Sequence, residues 1–244
     1  MSGVGAKRSE AKANFVLRAL PKAELDQVAK AGEVVEVGAR TSVNEAGSRI
    51  EVVHFPITAV FSMVATVGGA PAVEVATIGR EGMAGLPLFL GAISSPNATF
   101  CQVPGRSLRL SAEQFRDVLR TDGALYRQLH HFLQATMLQL SQNVVCNRLH
   151  STQQRGSRWL LMTQDRVGAE KFPLTQEFLG QMIGVRRATV SYVATSLQRA
   201  GLIDYSRGVI TVLDRDGLEA AACECYQVVR AEFDKLKTRR DPVA

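Results

Sequence analysis

Two adjacent arginines, Arg186 and Arg187, follow a glycine in a stretch of the chain that is otherwise mostly apolar, GVRRATV (184–190). Between Gly184 and Ala200 the sequence contains no acidic residue. A guanidinium group can bind guanine through two hydrogen bonds, and it can also pair with phosphate. This segment therefore has the chemistry needed to bind nucleic acid.

The sequence around the arginines predicts two short helices that meet at a tight turn. Thr175 is a suitable N-cap for the first helix, and Gly184 can adopt the positive φ of a sharp turn. The second helix is predicted from about Arg187 to Ala200, where Gly201 ends it. Two helices joined in this way form a helix-turn-helix. Their apolar residues would form a shared core, namely Leu179, Met182, Ile183, Val190, Val193 and Leu197.

The residues that follow predict a short β-hairpin, LIDY (202–205) and VITVL (209–213), with Arg207 at its tip. A basic hairpin beside a recognition helix is a wing that can contact phosphate or the minor groove. The alternative is a helical hairpin with solvated arginines that docks a protein partner without specific DNA binding. We favour DNA binding and expect the contacts to come from Thr175, Gln176, Arg186, Arg187, Ala188, Thr189, Ser191, Tyr192 and Arg207.

The front half of the chain reads differently, as short β-branched segments separated by turn residues such as Asn44–Gly47 and Gly68–Gly69. This spacing predicts a small antiparallel barrel or roll. Short helical pieces broken at Pro21 precede it within residues 14–32, and residues 1–12 are expected to be frayed. The predicted strand segments are 33–38, 50–55, 59–66, 72–79, 99–103 and 107–110.

A long helix is predicted over residues 124–149, after a shorter one at 111–123 with Ser111 as its N-cap. Two apolar stripes run along the long helix, which predicts that it packs both on its own domain and on a second copy of the chain. One broad stripe in a single core is the alternative. A last amphipathic helix covers 214–240 and ends in a basic tail, KLKTRR. We expect dimer contacts from Leu129, Phe132, Leu133, Met137, Leu140 and Val144.

The β-rich front, the long helix, the helix-turn-helix and the wing, in this order, resemble the Crp/Fnr superfamily of bacterial transcription regulators. The most specific matches are LTQEFLGQMIGVRRATV (174–190) with the wing, and VATIGREGMAGLPLFLG (75–91). The resemblance implies an α+β fold: an N-terminal antiparallel β-roll like a cyclic-nucleotide-binding domain, a long dimerisation helix and a C-terminal winged helix-turn-helix. It also implies a homodimer that binds near-palindromic DNA. The corresponding divisions are 1–123, 124–150 and 151–244.

The resemblance also assigns roles to residues of the second helix. Arg187 matches the arginine that reads guanine in the family. Ala188 stands where many members have a glutamate that reads cytosine, and Tyr192 stands where many have a second base-contacting arginine. These two departures argue against the TGTGA-type half-site that is usual in the family.

The effector cassette of the family departs from its pattern as well. Family members that bind cyclic nucleotides use a glutamate for the ribose hydroxyl and an arginine for the buried phosphate. With Gly82 and Gly85 matched to the family's glycines, Met83 takes the place of the glutamate, and Asn97 and Ala98 fall at the arginine. We therefore do not expect dependence on cyclic AMP or cyclic GMP, and the roll would hold another small-molecule effector or none.

The remaining composition limits the other function classes. The chain has 244 residues with a formal net charge of +6, which permits a polyanionic partner. No catalytic constellation is recognisable, no cofactor is expected, and no stretch is apolar enough to predict a membrane span. Double-stranded DNA and a second copy are the expected partners in the cytoplasm, with RNA polymerase as a further candidate.

The four cysteines show no metal-ligand spacing, so no metal site is predicted. Cys223 and Cys225 would point to different faces of a helix, and buried, reduced thiols are the expectation. An Fnr-like iron–sulfur cluster is not expected, because no cysteine precedes Cys101. Two alternatives are disfavoured but open, a haem ligand among the four histidines and a redox role for Cys101 or Cys146.

Overall fold

The computed structural model describes residues 3–68 and 72–238. Residues 1 and 2, the turn residue Gly69 and the tail arginines Arg239 and Arg240 lie outside the described residues. The helices are α1 (Gly3–Ala11), α2 (Phe15–Arg18), α3 (Lys22–Ala31), α4 (Leu86–Phe89), α5 (Ala112–Val118), α6 (Ala124–Leu149), α7 (Thr152–Val167), α8 (Gln176–Ile183), α9 (Arg187–Arg199), α10 (Arg215–Ala221) and α11 (Cys225–Thr238).

The front domain has seven strands in the described residues: β1 (Glu33–Val37), β2 (Ser42–Asn44), β3 (Val52–Pro56), β4 (Val60–Ala65), β5 (Val73–Ile78), β6 (Ala98–Val103) and β7 (Gly105–Ser111). They form two antiparallel sheets, with strand orders β1-β7-β3 and β2-β6-β4-β5. The inward-facing side chains of the sheets meet in one core, which includes the fully buried Phe55 and Phe61 together with Phe115 of α5.

The C-terminal third has a third sheet, in which β8 (Lys171–Pro173), β10 (Val209–Val212) and β9 (Ile203–Ser206) lie in that order. The α+β architecture expected from the sequence is confirmed: antiparallel β-roll, long helix, and helix-turn-helix with wing. Helix α6 has the predicted bounds, 124–149. Ser111 caps α5 in a capping box with Gln114, but α5 ends at Val118 rather than at Gly123, which precedes α6.

Two expectations about the chain ends are wrong. Residues 3–11 form α1 instead of being frayed, because Arg8 pairs with Asp26 at 2.9 Å and Glu10 pairs with Arg106 at 2.7 Å. The C-terminal segment is two helices rather than one. Ala222 has an extended backbone, with φ −83° and ψ 168°, and this breaks the helix just before Cys223.

Helix α6 has one buried and one exposed apolar stripe. Leu129 and Phe132 are 0% and 1% exposed within the chain, so including them among dimer residues is wrong. They face the β-roll core, which leaves no surface for a partner. Leu133 and Leu140 are half-buried, whereas Met137 and Val144 are 60% and 72% exposed.

Polar contacts of α7 join the β-roll to the C-terminal part of the chain. Arg166 Nε lies 2.7 Å from Glu81 Oε1, and both side chains are almost fully buried. Glu74 on β5 accepts a hydrogen bond of 2.7 Å from Trp159 Nε1, and burial raises the pKa of its carboxyl group. Phe178 of α8 adds an edge-on contact with Phe100 of β6, with ring centroids 5.9 Å apart. The helix-turn-helix is therefore seated against the roll.

Removing one partner of the buried ion pair should be costly, because the other charge stays buried without compensation. We expect Arg166→Ala to lower the free energy of unfolding by about 3–5 kcal/mol. Arg106→Ala is the matched control. Its pair with Glu10 has the same 2.7 Å separation but is partly solvent-exposed, so the loss should be below about 1 kcal/mol. Urea unfolding of the unsubstituted protein and the two variants measures both losses. Equal losses in Arg166→Ala and Arg106→Ala would contradict the prediction.

The buried His54 makes a pH-dependent contribution to stability. Burial, and to a lesser extent the charge of Arg109, lowers the pKa of its imidazole to about 4 from the ordinary 6.5. Folding therefore disfavours protonation of His54. Its contribution to the free energy of unfolding is fully present above pH 6.5 and is lost as the pH falls from there toward 4. By pH 4 the loss from this group reaches about 3 kcal/mol. We expect His54→Gln to show a correspondingly weaker loss in urea unfolding between pH 7 and 4, and an unchanged pH dependence would refute this origin.

Candidate nucleic-acid interface

The helix-turn-helix is built by a glycine turn and a close helix crossing. Gly184 has φ +66°, in the left-handed region, and the Val185 N–H donates to Gly180 O at 2.9 Å. A Cβ on Gly180 would lie 2.9 Å from Val185 O and 3.2 Å from Val190 Cγ2, so the crossing needs a residue without a side chain. All six predicted core residues of the unit are buried: Leu179, Met182, Ile183, Val190, Val193 and Leu197.

The N-terminal ends of α8 and α9 both lie at the surface. Thr175 is exposed and caps α8, because its side chain accepts a hydrogen bond of 3.1 Å from the Phe178 N–H. Arg186 precedes α9 and makes no side-chain cap, and Arg187 is the first helical residue. Unpaired N–H groups and the helix dipole favour an anion at such ends, so each terminus could bind a phosphate, with Arg186 and Arg187 adding positive charge at the start of α9.

The outer face of α9 is open along its length. Arg186, Arg187 and Ala188 are exposed, and Tyr192 is 73% exposed. Thr189 is half-buried. Because Ala188 ends at Cβ, it leaves room between the helix and whatever approaches it.

Two of the predicted contact residues bind each other. The Ser191 hydroxyl donates a hydrogen bond of 2.7 Å to Gln176 Oε1, which links α9 to the start of α8. This contact orients Gln176 and leaves its amide nitrogen as a donor. Sequence reasoning did not include Thr195 and Arg199, which are exposed on the same face, three and seven residues after Tyr192. The helical period beyond Tyr192 was the signal that could have found them.

The wing places Arg207 at its tip in a strained conformation. Arg207 has φ +50° and Gly208 has φ +75°, and Ser206 pairs with Val209, so the strands are joined by a two-residue turn. Positive φ at both central residues is typical of a type I′ hairpin turn. Strand β8 pairs with β10 and supports the wing from its other edge, which the sequence did not predict.

The cassette region of the β-roll is filled by the protein itself. A Cβ on Gly82 would overlap the ring of Phe132 from α6, and Met83 is fully buried. The backbone oxygen of Asn97 accepts a hydrogen bond of 2.9 Å from Asn44 Nδ2, while Ala98 begins β6. Gly85, with φ +97°, packs against Val53. Met83, Asn97 and Ala98 have no group that could pair with a cyclic phosphate.

A separate cavity of about 270 Å³ lies where the β-roll meets α6, α7 and α8. Arg155 and Arg158 contribute guanidinium groups to its wall, and Gln139 and Asn143 contribute amides. Glu74 lines the same cavity, so its wall carries both basic and acidic side chains. Among the described residues, no helix has both the length and the apolar composition that a membrane crossing requires.

Comparisons with known proteins agree with this architecture. Residues 154–221 match the family described as Crp-like helix-turn-helix domain. No curated protein matches the sequence.

Solved structures similar to the whole fold include FixK2 from Bradyrhizobium japonicum (TM-score 0.66, 14% identity, covering 79% of this chain and 98% of that one). A Crp/Fnr-family transcriptional regulator from Thermus thermophilus has a TM-score of 0.63 and 19% identity, with coverages of 78% and 98%. The c-di-GMP-responsive regulator CLP from Xanthomonas campestris has a TM-score of 0.63 and 14% identity, covering 79% of this chain and 99% of that one.

The wing turn yields a stability test. Asparagine tolerates positive φ, whereas a β-branched residue does not. We expect Arg207→Asn to raise the free energy of unfolding by up to about 1 kcal/mol, and Arg207→Val to lower it by at least about 1 kcal/mol. Thermal and urea unfolding would measure the difference. Equal effects of the two substitutions would show that the tip does not have this conformation in solution.

Proposed function

We propose that the chain is a DNA-binding transcription regulator of the Crp/Fnr family that acts as a homodimer on near-palindromic operators without depending on a cyclic nucleotide. The proposal assigns residues 1–123 to a sensor domain, 124–150 to the dimerisation helix and 151–244 to DNA binding. It places the protein in the cytoplasm, with RNA polymerase as a further partner.

The observation that carries the proposal is the exposed, acid-free outer face of α9, which begins with Arg186 and Arg187. A helix of this kind fits the major groove, where arginine binds the O6 and N7 atoms of guanine. We assign guanine reading to Arg187. Phosphate contacts fall to the N-terminus of α8, with Thr175 and Gln176, and to Arg207 on the wing.

The operator should differ from the usual half-site of the family. Ala188 cannot hydrogen-bond a base through its side chain, but its methyl group can contact thymine. Tyr192 presents an aromatic ring and one hydroxyl in place of a guanidinium group. Thr189 and Ser191 lie between these two residues in the sequence, and the Ser191 side chain already hydrogen-bonds to Gln176. We therefore expect the base preference of this protein to differ from that of the family at the base pairs that face Ala188 and Tyr192.

The exposed stripe of α6 supports the dimer. Met137 and Val144 are largely exposed, and Leu133 and Leu140 lie half-buried on the same face at steps of three and four residues. A repeat of this kind is typical of a helix that pairs with its own copy. Two recognition helices would then enter successive major grooves about 10 bp apart.

The filled cassette supports independence from cyclic nucleotides. A cyclic nucleotide would have to displace the Phe132 ring from Gly82 and would find no cationic partner at Asn97 or Ala98. Burying a phosphate without a paired cation is strongly unfavourable.

Selection from random duplex DNA tests the function. The purified protein, with no added ligand and at near-physiological salt, should enrich a near-palindrome with half-sites about 10 bp apart. Arg187→Ala should lose about 1–3 kcal/mol at one base position and relax the preference there. The control, Arg106→Ala, makes the same charge change on β7, where Arg106 pairs with Glu10, and should leave the motif unaltered.

Three results would contradict parts of this proposal. A motif with one half-site would argue against the dimer, and enrichment only after addition of cyclic AMP or cyclic GMP would argue against independence from them. A uniform loss of affinity on all sequences for Arg187→Ala would make Arg187 a phosphate contact instead of a base reader.

A further inference from the structure

Three of the four cysteines converge with one histidine at the end of the long helix. Cys146 lies in the last turn of α6, and His150 directly follows that helix. Cys223 and Cys225 come from the break between α10 and α11. The three sulfur atoms and an imidazole nitrogen all lie within 4.8 Å of one another. Residues 77 positions apart in sequence are thus brought to one point.

Two distances within this cluster are close to those between ligands of a single metal ion. Cys146 Sγ and Cys223 Sγ are 3.4 Å apart, and Cys225 Sγ lies 3.5 Å from His150 Nδ1. Ligands of a tetrahedral zinc ion, with Zn–S near 2.3 Å and Zn–N near 2.0 Å, are about 3.5–3.8 Å apart. A disulfide would need about 2.05 Å between the sulfurs, so Cys146 and Cys223 are separate thiols.

The surroundings of the cluster favour metal binding over simple packing. The cysteines are 0%, 3% and 1% exposed and form a small apolar cluster apart from the main core. Glu224 Oε1 accepts a hydrogen bond of 3.2 Å from His150 Nε2, which leaves Nδ1 facing the sulfur atoms. A carboxylate on the second imidazole nitrogen is the usual support of a metal-bound histidine, because it fixes the ring and its tautomer.

Positive charge near the cluster suits thiolate ligands. The positive charge of Arg158 acts on Cys146. Arg158 is itself buried on α7. Three thiolates and one neutral imidazole around a divalent ion leave a net charge of −1, which Arg158 would offset.

We propose that Cys146, His150, Cys223 and Cys225 form a structural site for one tetrahedral divalent cation of the zinc class. Closely grouped donors favour a mononuclear ion over an iron–sulfur cluster, whose cysteines are spread around several metal atoms. The bound ion would tie the end of α6 to the start of α11, at the junction where the chain turns from α6 into α7.

Metal titration of the full-length protein tests the site. The reduced protein, freed of metal by a chelator, should bind one Co²⁺ per chain with the intense visible absorption of tetrahedral thiolate coordination. Zn²⁺ should displace the cobalt. Iodoacetamide should react more slowly with Cys146, Cys223 and Cys225 in the zinc-bound protein than in the metal-free protein, as mapped by mass spectrometry.

Matched variants locate the site. Cys223→Ser should weaken zinc binding at least about 100-fold, while Cys101→Ser, which removes the buried cysteine outside the cluster, should retain one metal per chain. Glu224→Gln should weaken zinc binding about 10-fold. Because Glu224 is exposed, this variant keeps the test valid even where a cysteine variant does not fold.

Several outcomes would overturn the proposal. These are absence of stoichiometric cobalt binding, equal losses in Cys223→Ser and Cys101→Ser, or unchanged zinc affinity in a folded Glu224→Gln protein. Formation of a Cys146–Cys223 disulfide on mild oxidation, in a protein that binds no metal when reduced, would identify a thiol switch instead.

Discussion

The buried ion pair between Glu81 and Arg166 is the contact on which the arrangement of the two halves depends. It joins the turn after β5 of the roll to the last turn of α7, and almost no solvent reaches it. The Gly79 N–H also donates to Glu81, and Arg166 reaches Met162 O and Gln139. A buried pair with this many partners has a narrow range of acceptable geometries. It therefore fixes where α7, and with it the helix-turn-helix, lies relative to the roll.

Local signals made much of the fold predictable from sequence. The helix at 124–149 has neither glycine nor proline, and Gly184 with its apolar neighbours marks the helix-turn-helix. Both features depend on residues close in the chain. Strand β2 and strand β8 were missed because each has three residues and owes its existence to a partner strand distant in sequence. Periodicity likewise showed two stripes on α6 without showing that Leu129 and Phe132 belong to the inner one.

The cysteine cluster shows most clearly what the sequence could not reveal. Its members come in pairs, C-x₃-H and C-x-C, and the sequence analysis interpreted the second pair as part of a continuous helix in which the two cysteines point to different faces. The extended backbone at Ala222 removes that helix and turns both sulfur atoms to one side. Only the packing of α11 against α6 brings the pairs together. The residues proposed to contact DNA could be grouped from the sequence, because most of them follow each other along one short helix.

The Phe132 ring over Gly82 has a consequence for how the two halves of this regulator could communicate. Any ligand that occupied that space would have to move an aromatic side chain of the long helix. The free energy of ligand binding would therefore depend on the position of α6. Linkage then works in both directions. A contact that holds α6 in place, whether from a second copy or from the wing domain, would set the affinity of such a ligand as strongly as the ligand sets the helix.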